Sequence, residues 1–290
     1  MRIAIAIPVY KAVPTADELL SLRQCISVLG SHQLFLVCPE GLDTSAYDEV
    51  QEQQQTQGRT AADRLQRLTF APCYFESIDG YNRLMMEHHF YKRFSDYDYM
   101  LVYQLDAWVF TDELAIWCQR GYDYVGAPWF ELNHTHEEGY ELWCVGNGGL
   151  SLRKVSTFLR VTRLRPFSKV KSCRQVFSQE YHSPHDLGHC LMRCLGPLIG
   201  TNSIRHLQKR LQEDFYFCYG LKGSDHELHI PTPAEAALFA FECSPKYLYE
   251  EVTHGRLPFG CHAWRKHQYE EFWQQFILSG NDTKGTLRRP

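Results

Sequence analysis

The 290-residue sequence has no apolar run long enough to span a membrane and no CxxC pair. The first absence leaves no candidate transmembrane segment. The second, together with an odd total of 11 irregularly spaced cysteines, excludes a disulfide framework. The cysteines are expected to be buried thiols in a reducing compartment. The opening segment MRIAIAIPVY enters a strand pattern at once, with no charged leader ahead of a long apolar stretch. No signal peptide is therefore expected, and the expected location is cytoplasmic. A basic face is also missing. The formal net charge is -4, and Lys and Arg are scattered apart from a patch at Arg160 to Lys171, expected to be a solvated helix end and loop. That gives no support for a nucleic-acid surface, and none is expected. No glycine cluster is followed by Gly-Lys-Ser/Thr, so there is no P-loop. No internal repeat or composition break marks two independent domains.

Core material is plentiful, with 44% hydrophobic and 14% aromatic residues. Strand patterns cover Arg2 to Val9, Gln33 to Cys38, Cys73 to Ile78, the run from Tyr97 toward Asp106, and Tyr122 to Gly126. Helical patterns lie between them, at Asp17 to Leu29, in parts of Ser45 to Leu68, from Gly80 to about Phe94, and at Asp112 to Gln119. Alternation of this kind predicts a parallel, doubly wound α/β sheet. Glu131 to Tyr140 has loop composition. Further on, Trp143 to Arg153 predicts a strand interrupted by glycines. Helices are expected at Lys154 to Arg163, Pro184 to Leu195 and Ser203 to Tyr219, and a last strand at Ala236 to Cys243.

Four places carry residues suited to chemistry. The apolar run from Tyr97 ends in the acid Asp106. In an open α/β sheet a strand's carboxyl end is where ligands bind, so Asp106 is placed for a metal-bound diphosphate; the alternative is an acid capping the helix near Thr111. Gly146, Gly148 and Gly149 interrupt a strand pattern, which marks a bulge or a close approach of backbone to ligand. Glu213 and Asp214 precede an aromatic run, a setting that suits a carboxylate whose proton affinity is tuned by burial, or else dipole compensation at a helix start. His262 lies in a loop beside Trp264 as a metal ligand, a phosphate contact or a packed imidazole. A fifth cluster, His182, His185, His189, Cys190 and Cys194, has suitable ligand types. His185 and His189 are spaced for one helix face, but the two cysteines fall about 100° around the helix, and no metal site is expected there.

In order, these pieces resemble the GT-A glycosyltransferases. The matching segments are Ile7 to Tyr10, Gly80-Tyr81-Asn82, Gln104-Leu105-Asp106-Ala107, Gly126 to Trp129, Gly146 to Arg153, Glu213-Asp214 and His262. More narrowly, the combination resembles a family known only as a domain of unknown function and grouped with GT-A enzymes. The resemblance spans roughly Arg2 to Trp264. It implies a GT-A-like, Rossmann-like mixed sheet, mostly parallel and flanked by helices. One domain over residues 1–278 is expected, with a nucleotide-binding half at 1–130, an acceptor and catalytic half at 131–278, and a loose tail at 279–290.

The implied activity is transfer of a sugar from a nucleotide-sugar donor to a hydroxyl acceptor, a glycan, with inversion. Pro8, Val9 and Tyr10 would border the base and ribose, and Asn82 the nucleoside half. Asp106 would bind a divalent cation, Mn²⁺ or Mg²⁺, with His262 as the C-terminal ligand. Gly148 and Gly149 would lie by the donor sugar or acceptor, and Asp214 would be the general base, with Glu213 beside it. Trp129, Trp143 and Trp264 are candidate apolar faces for sugar rings. Gln104 departs from the pattern, standing where the first Asp of DxD is expected, and a neutral amide weakens metal binding. Two other classes stay open: a degenerate GT-A module that binds glycan or nucleotide without turnover, and a nucleotidyltransferase. The second usually carries a glycine-rich basic loop after strand one, and Tyr10 to Pro14 has no glycine.

Overall fold

A computed structural model describes residues 1–56, 65–131, 141–196 and 202–277. Its central sheet has the strand order β3-β2-β1-β4-β9-β6. These strands are β1 (Ile3–Pro8), β2 (Gln33–Pro39), β3 (Gln66–Phe70), β4 (Tyr99–Tyr103), β6 (Tyr124–Val125) and β9 (Leu150–Lys154). The first four are mutually parallel, and β9 runs antiparallel to both β4 and β6. The sheet is thus mixed and mostly parallel, as the sequence predicts.

Strand alternation divides the core. Ile3, Ile5, Ile7, Leu101 and Tyr103 pack on one face, and Ala4, Ala6, Met100 and Val102 on the other. The first face is covered by α1 (Ala16–Leu29), α2 (Ser45–Thr56) and α5 (Leu114–Gln119). The second is covered by α3 (Ile78–Met86), α4 (His88–Lys92) and α6 (Val155–Val161). Thr15 opens α1 with a capping box to Glu18, satisfying donors that the helix start leaves free. Two small sheets complete the molecule. In one, β7 (Pro128–Phe130) pairs with β8 (Leu142–Val145); in the other, β5 (Trp108–Val109), β10 (Ala240–Phe241) and β11 (Gly260–Cys261) pair beside an aromatic cluster containing Trp264 and Trp273.

Several elements differ from expectation. The third strand is Gln66–Phe70 rather than Cys73 to Ile78, because Pro72 lacks an N–H for the ladder and starts a short 3₁₀ turn. The helix from Gly80 begins earlier, at the Ser77 cap, and breaks at extended Glu87. Trp143 to Arg153 forms two strands in different sheets, separated by the glycine turn. The Ser203 helix stops at extended Leu211 and Gln212. Ala236 to Cys243 splits into a helix, Pro233–Ala237, and the two-residue β10. A helix at Cys173–Glu180 is not signalled by the sequence. Cys73 and Cys173 are exposed, against the expectation of buried thiols. The polar loop at Glu131 to Tyr140, apart from Glu131, and the tail at 279–290 lie outside the described residues. Among the described residues no helix is long and apolar enough to cross a membrane.

One backbone crossing holds the small β7–β8 sheet to the central one. A Cβ on Gly126 would land on the backbone oxygen of Gly146 and lie 2.8 Å from that of Asn147. Gly126→Ala should therefore force the two segments apart and cost about 1–3 kcal/mol or more. Gly188→Ala is the control, since a Cβ there meets nothing within 4 Å and lies in a helix, where Ala is favoured over Gly. Urea unfolding should show a loss for the first and none for the second. Equal midpoints would mean the crossing is not constrained.

Candidate functional site

The antiparallel course of β9 determines where the site forms. Tyr103 at the end of β4 pairs with Leu150 at the start of β9, so the turn Gly146–Gly149 lies beside the carboxyl end of β4. The backbone N–H of Gln104 donates to Gly149 O at 2.8 Å. Asn147 takes a left-handed conformation, φ 62°, and its side-chain oxygen accepts from Leu150 N at 3.3 Å. Asn is one of the few residues that tolerates this geometry. Missing side chains make room on the turn. A Cβ on Gly149 would collide with the His262 ring, one on Gly148 with the Glu213 carboxylate, and one on Gly146 with the Trp129 ring.

His262 is the electrostatic centre. Its Nε2 lies 3.1 Å from Asp106 Oδ1 and 3.2 Å from Gln104 Oε1, and its Nδ1 lies 3.0 Å from Glu242 Oε1. Burial alone would lower the imidazole's proton affinity. The hydrogen bonds to Asp106 and Glu242 outweigh that and raise its pKa to about 10. The ring is then an imidazolium that donates to both carboxylates. Asp106 stands three residues beyond β4, in a turn closed by Ala107 N donating to Gln104 O at 2.9 Å. It caps no helix: the residue ahead of Leu114–Gln119 is Glu113, and Asp112 accepts from Leu114 N at 3.2 Å in the turn before it.

The acid pair divides its two carboxylates. Glu213 is buried, 2.8 Å from the fully buried guanidinium of Arg153, which also donates to Tyr91 Oη at 2.8 Å and Ser151 Oγ at 3.0 Å. Burial pushes the Glu213 carboxyl up to about 7 against the pull of Arg153. Asp214 is half-buried and accepts from Gly148 N at 3.1 Å and Phe215 N at 2.7 Å. Its carboxyl is also raised, chiefly by burial.

A cleft of about 590 Å³ opens at the carboxyl ends of β1 and β4. Pro8, Val9, Tyr10, Gln104 and Asp106 line it, together with Tyr47, Phe75 and Tyr81. Gly148, Gly149, Asp214 and His262 meet at the glycine turn. Asn82 is apart from the cleft: its side-chain oxygen accepts from Glu213 N at 3.1 Å, and it borders a second cavity with Arg83 and Gln212. In the His182 to Cys194 cluster, Cys190 is buried, while exposed His189 lies 3.4 Å from Glu180. Sequence reasoning missed Glu242, Asn147 and Arg153. Glu242 ends an apolar strand, the same signature that singled out Asp106, and the other two lay inside the glycine motif.

A divalent ion fits this donor set in part. Asp106, His262 and the amide oxygen of Gln104 converge, and the Glu242–His262 hydrogen bond is of the kind that orients a metal-bound imidazole. Among the described residues no three His, Cys, Asp or Glu side chains form a group able to hold a metal. Other ligands would have to come from substrate oxygens or water.

Fold and site together define a mixed α/β protein with a carboxylate–imidazole centre at the carboxyl ends of its parallel strands. The chain belongs to the family described as "Protein of unknown function (DUF5672)", whose model matches residues 64–262. Among solved structures it is similar to the galactosyltransferase LgtC in complex with donor and acceptor sugar analogues, at 12% identity and a TM-score of 0.46, covering 89% of this chain and 86% of that one. It is also similar to mouse xyloside xylosyltransferase 1, at 10% identity and a TM-score of 0.47, covering 90% and 97%. A third is the glycosyltransferase GlyE of Streptococcus pneumoniae, at 10% identity and a TM-score of 0.43, covering 96% and 60%. No curated protein sequence matches the chain.

The raised Glu213 carboxyl has a consequence for stability. Between about pH 4.5 and about 7 the folded chain holds a proton there that the unfolded chain has released. Its contribution is fully present below that window and is lost as pH rises through it. Urea titrations of the wild type and Glu213→Gln should diverge across the window, the variant gaining on the wild type as pH rises. Parallel curves would mean that Glu213 ionises in the fold as freely as in the unfolded chain.

Proposed function

We propose that this protein is a glycosyltransferase that moves a sugar from a nucleotide-sugar to a hydroxyl acceptor with inversion. The observation that carries this is the meeting of Asp106, His262 and Asp214 at one glycine turn, at the end of a cleft large enough for a nucleotide. In this proposal residues 1–130 bind the nucleotide, with Pro8, Val9 and Tyr10 along the base and ribose. Residues 131–278 supply the acceptor side. Asn82 acts through Glu213, whose backbone it holds, and Gly148 and Gly149 leave space for the transferred sugar.

Asp106 and His262 would hold a divalent cation, the cation displacing the proton that His262 Nε2 otherwise carries, with Gln104 as a weak third ligand. Bound there, Mn²⁺ or Mg²⁺ offsets the charge that gathers on a departing diphosphate. The acceptor oxygen attacks the anomeric carbon as the bond from that carbon to the diphosphate breaks, and the acceptor proton passes to Asp214. A raised carboxyl is a better proton acceptor than an ordinary Asp, which suits a weakly acidic hydroxyl. Glu213 is bound to Arg153 and serves as support.

Two variants test the assignment. Asp106→Ala should abolish Mn²⁺-dependent thermal stabilisation by a panel of nucleotide-sugars while leaving the fold intact. Unchanged nucleotide affinity would remove Asp106 from the donor site. Asp214→Asn keeps the shape without the basicity, so turnover should fall about 10²–10⁴-fold with donor affinity unchanged. Wild-type turnover in that variant would end its role as base.

Gln104 favours a second reading, a GT-A module that binds nucleotide or glycan without turnover. Donor hydrolysis in the presence of Mn²⁺ separates the two, because a binding module would show none.

A further inference from the structure

Phe215, which follows Asp214, is the hub of an aromatic cluster. Its ring stacks on Trp129 at 5.7 Å and 27°, and meets Trp143 at 5.7 Å and Tyr219 at 4.9 Å. Trp143 and Tyr219 touch each other at 5.1 Å. Packing explains the inner members. Trp129 fills the space left by the missing side chain of Gly146, and Phe215 stacks on Trp129.

Packing does not explain the outer two. Trp143 is 37% exposed and Tyr219 43% exposed, whereas Trp108, Trp117, Trp264 and Trp273 are all buried. Two local features turn these rings outward. Trp143 occupies the exposed position of β8. Tyr219 lies in a π-helical turn, Tyr216–Gly220, in which Tyr216, Phe217 and Cys218 are buried. Single π turns are uncommon and recur at functional sites. The result is an exposed pair of aromatic rings that both rest on Phe215, the residue that follows the half-buried Asp214.

We propose that Trp143 and Tyr219 form an acceptor subsite that stacks the apolar face of a pyranose ring, so that the acceptor is a carbohydrate. The inference rests on Asp214 as the base of the proposed transfer. A pyranose presents C–H groups on its faces and hydroxyls around its rim. An aromatic face, negative at its centre, attracts the first, and a neighbouring carboxylate accepts hydrogen bonds from the second. Tyr and Trp suit such a place because they combine an apolar body with a polar edge. In this proposal a sugar ring held on Trp143 and Tyr219 offers a rim hydroxyl to Asp214. The cleft along Pro8 to Tyr10 is separate, so the stacking face is not needed for the donor's base.

The test uses the full chain with methyl β-glucopyranoside, sorbitol and uridine monophosphate as probes. Binding is followed by saturation-transfer NMR and by titration calorimetry. The pyranoside should bind with its ring C–H protons most strongly saturated, and sorbitol, which has no ring face, should not compete. Trp143→Ala and Tyr219→Ala should each weaken the pyranoside about tenfold, with Trp143→Phe retaining most of the affinity and the nucleotide unaffected. Equal pyranoside affinity in wild type and Trp143→Ala would overturn the proposal. So would no pyranoside binding at all, or loss of the nucleotide instead, which would make the face a base platform. If nucleotides bind and the stacking variants change nothing, only this subsite fails. If the pyranoside binds at Trp143 and no nucleotide binds anywhere, the subsite stands and the transferase reading falls.

Discussion

The absence of side chains at three glycines of one four-residue turn is the constraint on which the site depends. The turn Gly146–Gly149 has three other groups seated where its Cβ atoms would be: Trp129, Glu213 and His262. Each comes from a distant part of the chain, and each would be displaced by a single methyl. The turn also takes two backbone hydrogen bonds into the site, from Gln104 N to Gly149 O and from Gly148 N to Asp214 Oδ2. The reversed strand β9 places it there. Had β9 run parallel to β4, its first residues would lie at the other end of the sheet, far from Asp106.

Charge is arranged around the turn in two separate compartments. In one, His262 lies between Asp106 and Glu242, so one imidazolium serves two carboxylates. A third carboxylate at position 104 would add another negative charge to a pair that a single proton already balances incompletely. Gln104 adds an oxygen without that charge, and its amide accepts at the same ring nitrogen. In the other compartment, Arg153 is paired with Glu213 in the core, and the ring faces of Tyr124 and Phe158 lie 5.3 and 5.5 Å from the guanidinium. Burying such a pair gains little in stability, but removing one partner leaves a costly lone charge. The pair fixes the Glu213 side chain, while Asn82, accepting from Glu213 N, holds the backbone next to Asp214.

Much of this was legible in the sequence where the signal is local. β1, α1 and β2 follow from apolar strand runs and from the helical periodicity of Asp17 to Leu29, each read within a few residues. Asp106, the glycines and the acid pair stood out because each breaks a pattern in which it is embedded. The misplaced elements share a different cause. Edge strand β3 is half exposed and has no apolar run to announce it, and the more apolar segment after Pro72 drew the assignment instead. Contacts between remote segments were not legible at all. Nothing in the order of residues says that Glu242 reaches His262, that Arg153 turns inward, or that Asn82 accepts from the Glu213 backbone rather than facing the cleft.

The division of labour between Glu213 and Asp214 follows from helix geometry and leaves no freedom to exchange them. Adjacent residues on a helix point about 100° apart, so one carboxylate facing Arg153 forces the other elsewhere. The longer side chain sits at the inner position. Glu has one more methylene than Asp and spans from the helical turn to the Arg153 guanidinium, where its carboxylate fills the place of a Gly148 side chain. The shorter Asp214 stays beside its own backbone, taking hydrogen bonds from Gly148 N and Phe215 N that hold it within the turn. Exchanging the two residues would leave the inner acid short of Arg153 and the outer one reaching past the turn. The order Glu-Asp, which on its own resembles any acidic helix start, is therefore specified by two distances, one to a buried cation and one to a backbone N–H.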